Sequence, residues 1–303
     1  MPPEKFDEIL KKIARELAGA HARIELYNWG EPLLHPKIAD FIAKVKSYSQ
    51  FHCGISSNLS LKADLPAIVA AAPNWFRVSL SGFNQDTYSL THRRGDVELV
   101  KSNMRKLREA MDQHPATKMA VDVNYHLYRH NAGDDFEKMQ QLCDELKFSL
   151  KPTWAQFYPL EKVMAYHKDG QISPADSETV SMLAIDPAEL LQAAQAYRDE
   201  PCRLQEEQTA INYDGSVQLC CATFDPALVV APDFLSVSAA DLMKIKYENS
   251  TCNECIAGGY HSMMIYNGID TLEAQGNSEI AKNGARFSLA AGKVTWDDKV
   301  GVE

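Results

Sequence analysis

Four cysteines in the last third of the chain are the residues whose type and spacing most directly indicate chemistry. Cys202 and Cys220 stand in a Cys-x(12)-Gly-x(4)-Cys arrangement, and Cys252 and Cys255 follow as Cys-x-x-Cys. Four thiolates in two separated groups are typical ligands of a tetrahedral metal ion or of an iron–sulfur cluster. Spacing alone does not separate zinc from iron, because both accept tetrahedral sulfur ligation. The pattern predicts a metal centre and leaves the metal open.

The composition limits the compartment and the partners. The 303 residues are 45% hydrophobic and 24% charged, and the net charge of -10 disfavours nonspecific binding to nucleic acid or to an anionic membrane. No apolar stretch approaches the ~20 residues of a membrane span. The first residues pattern as an amphipathic helix and lack the apolar core of a signal peptide. We expect a cytoplasmic protein without nucleic-acid or membrane partners, in which reduced thiols favour metal binding over disulfides.

The elements that must position these cysteines begin with an alternation of strand and helix patterns over the first 160 residues. Strands that alternate with helices predict a parallel sheet, and active sites of such folds gather at the carboxyl ends of the strands. Five segments have the composition of strands: RIELYNW (23–29), FHCGISSN (51–58), NWFRVSLSG (74–82), KMAVDVNYHL (118–127) and SLKPTWAQFYPL (149–160).

The turn after the first of these strands carries the second strong signal. On turn chemistry alone, Gly30-Glu31-Pro32 reads as a strand-to-helix turn with a solvated glutamate. The segment 26–36 nevertheless resembles the Gly-Gly-Glu-Pro motif of the radical S-adenosylmethionine (SAM) superfamily, with Asn28-Trp29 before Gly30 instead of the usual residues. Ser57-Asn58 is similar to the polar pair at a later strand end of that family. Segment 78–82, Val-Ser-Leu-Ser-Gly, is similar to the strand whose serine commonly contacts the ribose.

This resemblance implies an α/β fold, a partial (β/α)6 barrel that lacks its first strand, with a small cysteine-rich region after it. In the family, the backbone and the glutamate of the motif hold the amino group of the SAM methionine. The implied SAM-binding residues are Gly30, Glu31, Pro32, Ser57, Asn58 and Ser79.

The cysteine region resembles the auxiliary-cluster region of many such enzymes, called SPASM in its full form and twitch in its short form. Residues 211–221 are close to its hairpin, and Asp214-Gly215 is a good tight-turn pair. The full SPASM pattern requires further cysteines, whereas Cys255 is the last one here. The resemblance therefore implies one auxiliary [4Fe–4S] cluster. Its ligands would be Cys202, Cys220, Cys252 and Cys255, with the Gly-x(4)-Cys spacing favouring Cys220 over the adjacent Cys221.

One motif of the family is missing from the 303 residues. Radical SAM chemistry uses a [4Fe–4S] cluster held by Cys-x(3)-Cys-x(2)-Cys, and this spacing occurs nowhere in the sequence. The SAM-binding cluster thus has no ligands in this chain. Two explanations are possible. The sequence is either incomplete, as a fragment or a gene model started at an internal methionine, or it is that of a degenerate homologue. In both cases we expect that the chain alone does not cleave SAM, so whether it is an enzyme stays open.

Two functions follow as expectations. In the first, residues 1–160 form the truncated barrel, 161–200 a connecting helix, 201–267 the auxiliary-cluster region and 268–303 a tail. The intact enzyme would modify a peptide, a protein or a small molecule such as a sugar by radical chemistry, with an electron donor such as flavodoxin or ferredoxin. In the alternative, the chain is a noncatalytic partner or binding protein with a structural metal site made of four cysteines.

Overall fold

The computed structural model describes residues 1–265, 270–283, 285–288 and 293–296. The chain divides into two compact units. The sheet unit consists of Leu17–Ala155 and Asn277–Glu303, and the cysteine unit consists of Met1–Glu16 and Gln156–Gly276. The tail expected at 268–303 lies partly outside the described residues, and the four domain ranges expected from the sequence stay a prediction.

The strands of the described residues form three sheets. They are β1 (Ala22–Glu25), β2 (Phe51–Ser57), β3 (Trp75–Leu80), β4 (Ala120–Leu127), β5 (Ser149–Trp154), β6 (Ala210–Ile211), β7 (Val217–Gln218), β8 (Val229–Ala231), β9 (Ala285–Ser288) and β10 (Lys293–Trp296). Strands β1 to β5 make a parallel sheet in chain order, β6 to β8 an antiparallel sheet, and β9 and β10 an antiparallel pair.

The helices are α1 (Pro3–Glu16), α2 (Ile38–Lys46), α3 (Leu65–Ala70), α4 (Gln85–Ser89), α5 (Val97–Gln113), α6 (Asp134–Leu146), α7 (Leu160–Asp169), α8 (Pro174–Met182), α9 (Pro187–Ala194), α10 (Arg203–Glu207), α11 (Ala239–Glu248), α12 (Ser250–Ala257), α13 (Tyr260–Ile265) and α14 (Asp270–Ile280). Short 3-10 helices occupy Pro32–Leu34, Gln195–Tyr197, Pro226–Leu228, Phe234–Ser236 and Ala281–Asn283. Within the described ranges, none of the helices combines the length and the apolar character that crossing a membrane requires.

The five-stranded parallel sheet confirms the α/β class predicted from the sequence. Each of the five predicted segments overlaps one of the strands β1 to β5, although β1 begins one residue earlier than predicted, and β1 and β5 end earlier than their compositions indicate. Closure of this sheet into a partial barrel stays a prediction.

The two faces of this sheet differ in chemistry, because successive side chains of a strand point to opposite sides. On β3, Phe76, Val78 and Leu80 are fully buried, whereas Arg77 and Ser79 on the other face are partly exposed. Strand β4 shows the same alternation. Parallel sheets are usually apolar on both faces, so the polar, partly exposed face of this sheet departs from ordinary core packing.

The connections at the carboxyl ends of β3 and β4 are held by two buried polar side chains. Asn131 donates from Nδ2 to the carbonyl of His126 at 2.8 Å and accepts the backbone N–H of Tyr128 at 2.8 Å. Asp135 accepts the backbone N–H groups of Phe83 and Asn84. Both carry buried polar groups that are satisfied by hydrogen bonds, so the loops that border the polar face have fixed positions.

The cysteine unit has its own apolar core, to which the first helix contributes. Ile9 of α1 packs in one buried cluster with Val217, Ala231, Phe234 and Leu242. The β6–β7 hairpin predicted around Asp214-Gly215 is present. Gly215 has a φ of +93°, in the left-handed region that favours glycine, so the tight turn depends on this residue.

We expect Asn103→Leu to lower the free energy of unfolding by about 2 kcal/mol or more, since a buried group that loses its partner costs about 1–3 kcal/mol. The Asn103 amide on α5 donates to the carbonyls of Leu59 at 2.9 Å and Leu61 at 2.8 Å, which fixes the chain after β2. Urea denaturation measures the change. Ser102→Ala, at the exposed neighbouring position of the same helix, serves as the control. Equal stability of the two variants would contradict this account.

Candidate functional site

The four cysteines singled out by their spacing line one cavity of the cysteine unit. Cys202, Cys220, Cys252 and Cys255 all contribute to its wall. The rest of the wall is mainly apolar, together with a few polar side chains: Leu160, Leu204, Gln205, Leu219, Thr223, Thr251, Ile256 and His261. Cysteines that lie far apart in the sequence thus face the same space.

Three local structures bring these thiols to the cavity. Cys252 and Cys255 lie three positions apart on α12, and this spacing puts both on one side of a helix. Cys202 immediately precedes α10, at its N-cap position, where its side chain makes no capping hydrogen bond. Cys220 follows β7 by two residues, on the returning arm of the hairpin. The Cys-x-x-Cys spacing therefore reflects one turn of a helix, and the Gly-x(4)-Cys spacing reflects the returning arm of a hairpin.

The electrostatics of the four thiols differ. Burial raises the pKa of Cys202, of Cys255 and of Cys252, the last to about 11. Cys220 is the exception: a hydrogen bond from the Cys221 thiol holds its pKa below the usual value, and the backbone N–H of Ala222, 3.5 Å from Sγ, acts in the same direction. The same bond raises the pKa of Cys221. Cys220 is the thiol that ionises first.

The two adjacent cysteines, Cys220 and Cys221, differ in whether they line the cavity. Cys220 contributes to its wall, whereas Cys221 is not among the lining residues. As they stand, no three His, Cys, Asp or Glu side chains of the described residues form a group that could hold a metal ion. The two remaining cysteines, Cys53 and Cys143, are fully buried, as expected for small apolar side chains, and burial raises the pKa of each to about 12.

In the sheet unit, the glutamate of the Gly-Glu-Pro turn bridges two strand ends. One oxygen of Glu31 accepts the backbone N–H of Leu33 at 2.9 Å, which caps the 3-10 helix Pro32–Leu34. The other accepts the backbone N–H of Asn58, beyond β2, also at 2.9 Å. Glu31 is thus a partly exposed residue of a strand-to-helix turn, and its carboxylate is held in place by these two backbone N–H groups. A Cβ at Gly30 would meet open space, so internal packing gives no reason for glycine there.

The remaining predicted SAM contacts fall on different faces. Ser57 pairs in register with Val78 and lies on the apolar face, where it is buried and its hydroxyl accepts the backbone N–H of Leu59 at 2.9 Å. Ser79 lies on the polar face and pairs in register with Asn124. Asn58 accepts the backbone N–H of Ser60 at 2.9 Å. Of the two serines, Ser79 alone lies on the polar face.

The polar face contains charged residues that the sequence reading missed. Arg77 donates from Nε to Asp122 at 3.0 Å, and its guanidinium lies 4.9 Å from the ring centre of Trp75. Asn124 is 3.0 Å from Nε2 of His126. The signal was available in the sequence: β3 and β4 both place a polar residue at every second position. Register across the strands, which the sequence does not give, decides that these residues meet.

Two histidines near this face are neutral at pH 7. Burial lowers the pKa of His126 to about 4, and the positive charge of Arg77 acts in the same direction. Burial likewise lowers the pKa of His92 to about 4, with a smaller effect of His126. His92 stacks on Tyr88 with ring centres 4.3 Å apart. His92 is therefore a packed side chain in the segment after α4, where Arg93 and Arg94 follow it.

Comparison with known protein families decides the affiliation of the first half of the chain. A family model described as the radical SAM superfamily matches residues 1–143. This part of the chain belongs to the radical SAM superfamily. The match contains the Gly-Glu-Pro turn and the strands β1 to β4. It ends before the four cysteines, so the SPASM- or twitch-type character of their region stays a prediction. No curated protein sequence gives a significant match.

Three solved structures have distant similarity to the chain. The structure of native anSMEcpe with bound AdoMet has 13% sequence identity and a TM-score of 0.48, covering 84% of this chain and 74% of that one. SuiB from Streptococcus suis has 14% identity and a TM-score of 0.48, covering 86% and 62%. Coproporphyrinogen III oxidase (HemN) from Escherichia coli has 17% identity and a TM-score of 0.37, covering 71% and 46%.

The chemistry of the donor set suits a sulfur-ligated group. Four cysteines line one cavity with a mainly apolar wall, and the backbone N–H of Ala222 lies 3.5 Å from Sγ of Cys220. Iron–sulfur clusters are held by cysteine thiolates, and hydrogen bonds to the sulfurs are one of the ways in which a protein tunes them. The open space at Gly30 and the carboxylate beside it suit a ligand with an ammonium group.

For the metal-free, reduced protein, we expect iodoacetamide to alkylate Cys220 with a pH midpoint below that of Cys252. A lowered pKa leaves more thiolate at neutral pH, and the thiolate is the nucleophile. In Cys221→Ala the midpoint of Cys220 moves to higher pH, because the donating thiol is gone. Mass spectrometry with fragmentation between residues 220 and 221 gives the rates. A midpoint of Cys220 at or above that of Cys252 would contradict the assignment.

Proposed function

We propose that this chain holds SAM with its sheet unit and one auxiliary [4Fe–4S] cluster with its cysteine unit, as part of a radical SAM enzyme. The substrate is a peptide, a protein or a small molecule such as a sugar. The observation that carries the proposal is the convergence of four cysteines on one cavity, in a chain whose first 143 residues belong to the superfamily.

The proposed SAM contacts follow from atoms with spare hydrogen-bonding capacity. An ionised carboxylate offers about four lone-pair sites. Glu31 uses two of them, for the N–H groups of Leu33 and Asn58. The others remain for the amino group of SAM, and Gly30 lets that group approach the backbone. Ser79 offers a hydroxyl on the polar face for the ribose. Pro32, Ser57 and Asn58 shape the turn and the end of β2 around these contacts.

For the cysteine unit, we propose that Cys202, Cys220, Cys252 and Cys255 ligate the cluster. When bound, an auxiliary cluster supplies electron transfer or a binding point for substrate. The protein would contribute the four thiolates, the backbone N–H of Ala222 beside Cys220 and an apolar wall that excludes water. The ionised state of Cys220 is already favoured by its neighbours, which lowers the cost of deprotonation on binding.

The polar face of the sheet is the proposed place of the substrate. Arg77, Asp122, Asn124 and His126 offer both donors and acceptors there. The partner is an electron donor such as flavodoxin or ferredoxin. The proposed compartment is the cytoplasm, where thiols stay reduced.

The metal content of anaerobically reconstituted protein tests the proposal. We expect a brown protein with about four iron and about four sulfide per chain, as for one [4Fe–4S] cluster. Cys220→Ser loses most of the iron, because the cavity loses one of its four thiols. Cys221→Ser, the adjacent position outside the lining, retains it. A colourless protein with one zinc per chain would favour the structural four-cysteine site of a noncatalytic partner.

A second test concerns SAM cleavage. Residues 1–303 contain no Cys-x(3)-Cys-x(2)-Cys spacing, so we expect no 5′-deoxyadenosine above background from reconstituted protein with SAM and dithionite. Liquid chromatography with mass spectrometry measures the product. A known radical SAM enzyme under the same conditions is the positive control. Multiple turnovers by residues 1–303 alone would show that other residues hold the SAM-binding cluster.

A further inference from the structure

A buried lysine stands behind the wall of the cysteine cavity. Lys246 on α11 is only 2% exposed. Its Nζ donates to the carbonyl of Gln205 at 2.9 Å and to the carbonyl of Gln208, and the carbonyl of Leu204 lies at 3.5 Å. An ammonium group has three N–H donors and no acceptor, so the three carbonyl oxygens match the charged form.

These carbonyls tie the lysine to the segment that bears the first cysteine. They belong to α10 and the residue after it, directly beyond Cys202. Leu204 and Gln205 also line the cavity. The side chain of Gln205 returns a hydrogen bond from Nε2 to the carbonyl of Lys246 at 3.0 Å. The ammonium group therefore contacts the backbone of two residues that line the cavity.

Cysteines of the same unit act on the charge of this lysine. Burial lowers the pKa of Lys246, and Cys220, Cys252, Cys202 and Cys221 act in the opposite direction. Its carbonyl acceptors are neutral, and among the described residues its Nζ takes part in none of the ion pairs. Burying an unpaired charge costs free energy. An anion in the cavity would offset the desolvation cost of the Lys246 ammonium group, which no ion pair of the described residues offsets.

We propose that Lys246 supplies a fixed positive charge that raises the reduction potential of the auxiliary cluster without ligating it. This inference rests on the cluster proposed above. A cluster with four thiolates has a net negative charge, and reduction by one electron makes it more negative. A nearby cation stabilises the more negative state more strongly, and it does so most in a water-poor surrounding.

The competing interpretation is purely structural. Lys246 satisfies carbonyls at the carboxyl end of α10, where a cation is favourable in any case. In that role it would position Cys202 and have no separate effect on the potential. An arginine retains both the charge and the donors, whereas a methionine retains most of the apolar stem and loses both. A glutamine retains donors and loses the charge.

The test is a redox titration of reconstituted residues 1–303, followed by electron paramagnetic resonance with dithionite as reductant. We expect Lys246→Met and Lys246→Gln to shift the midpoint potential to more negative values, and Lys246→Arg to stay near the unsubstituted protein. Lys244→Met is the matched control. It removes the same charge from an exposed position on the same helix, where water and salt screen it, and should leave the potential unchanged.

Three outcomes would overturn the inference. The first is an unchanged potential in Lys246→Met and Lys246→Gln with iron bound, and the second is a shift in Lys246→Gln that Lys246→Arg shares. The third is complete loss of iron from both uncharged variants, which would assign Lys246 to the framework alone. Partial loss of iron does not affect the comparison, because the midpoint potential does not depend on the fraction of protein that holds a cluster. Failure of the cluster proposal is distinct, since the unsubstituted protein would then lack iron.

Discussion

Placing four thiols around one largely apolar cavity is the constraint on which the cysteine unit depends. A ligand set of thiolates concentrates negative charge where water cannot solvate it, and such charge is stable only when hydrogen bonds and opposite charge compensate it. The unit meets this requirement from several directions. The backbone N–H of Ala222 donates to Cys220, and the buried Lys246 donates to the carbonyl of Gln205, a residue of the cavity wall. The hairpin, the start of α10 and α12 each contribute cysteines to the wall of this cavity.

The sheet unit has one apolar and one polar face. One face of the sheet is a dense apolar core, and the other is left polar by alternation along β3 and β4. Polar residues on a parallel sheet cost packing energy, which is consistent with a face kept for a ligand. Glu31 connects the turn after β1 to the end of β2 through two backbone N–H groups. Its carboxylate thereby has a defined position before any ligand arrives.

The features that local sequence determines could be predicted. The Asp214-Gly215 turn depends on one glycine with positive φ, and Cys252 and Cys255 share a helix face because of their spacing. The five parallel strands followed from the alternation of patterns, although β1 and β5 end earlier than composition indicates. The features that depend on distant contacts could not be predicted. Strand register places Arg77 opposite Asp122, and Glu31 accepts a hydrogen bond from the backbone of Asn58, 27 positions later in the chain. Lys246 looks like any lysine of an amphipathic helix, and only packing shows that it is buried. The role of α1 in the core of the cysteine unit has the same origin, since Ile9 packs against residues more than 200 positions later.

The account depends most on what the four cysteines hold. The most direct measurement is anomalous X-ray scattering from crystals of anaerobically reconstituted residues 1–303, recorded at the iron and zinc absorption edges. The account predicts a strong iron signal from a cluster of four irons within the cavity, with the sulfur of each of Cys202, Cys220, Cys252 and Cys255 at ~2.3 Å from one iron, a metal–thiolate distance close to that of zinc, and no zinc signal. A single zinc peak at this place, or no metal in a cavity with all four thiols free, would contradict it.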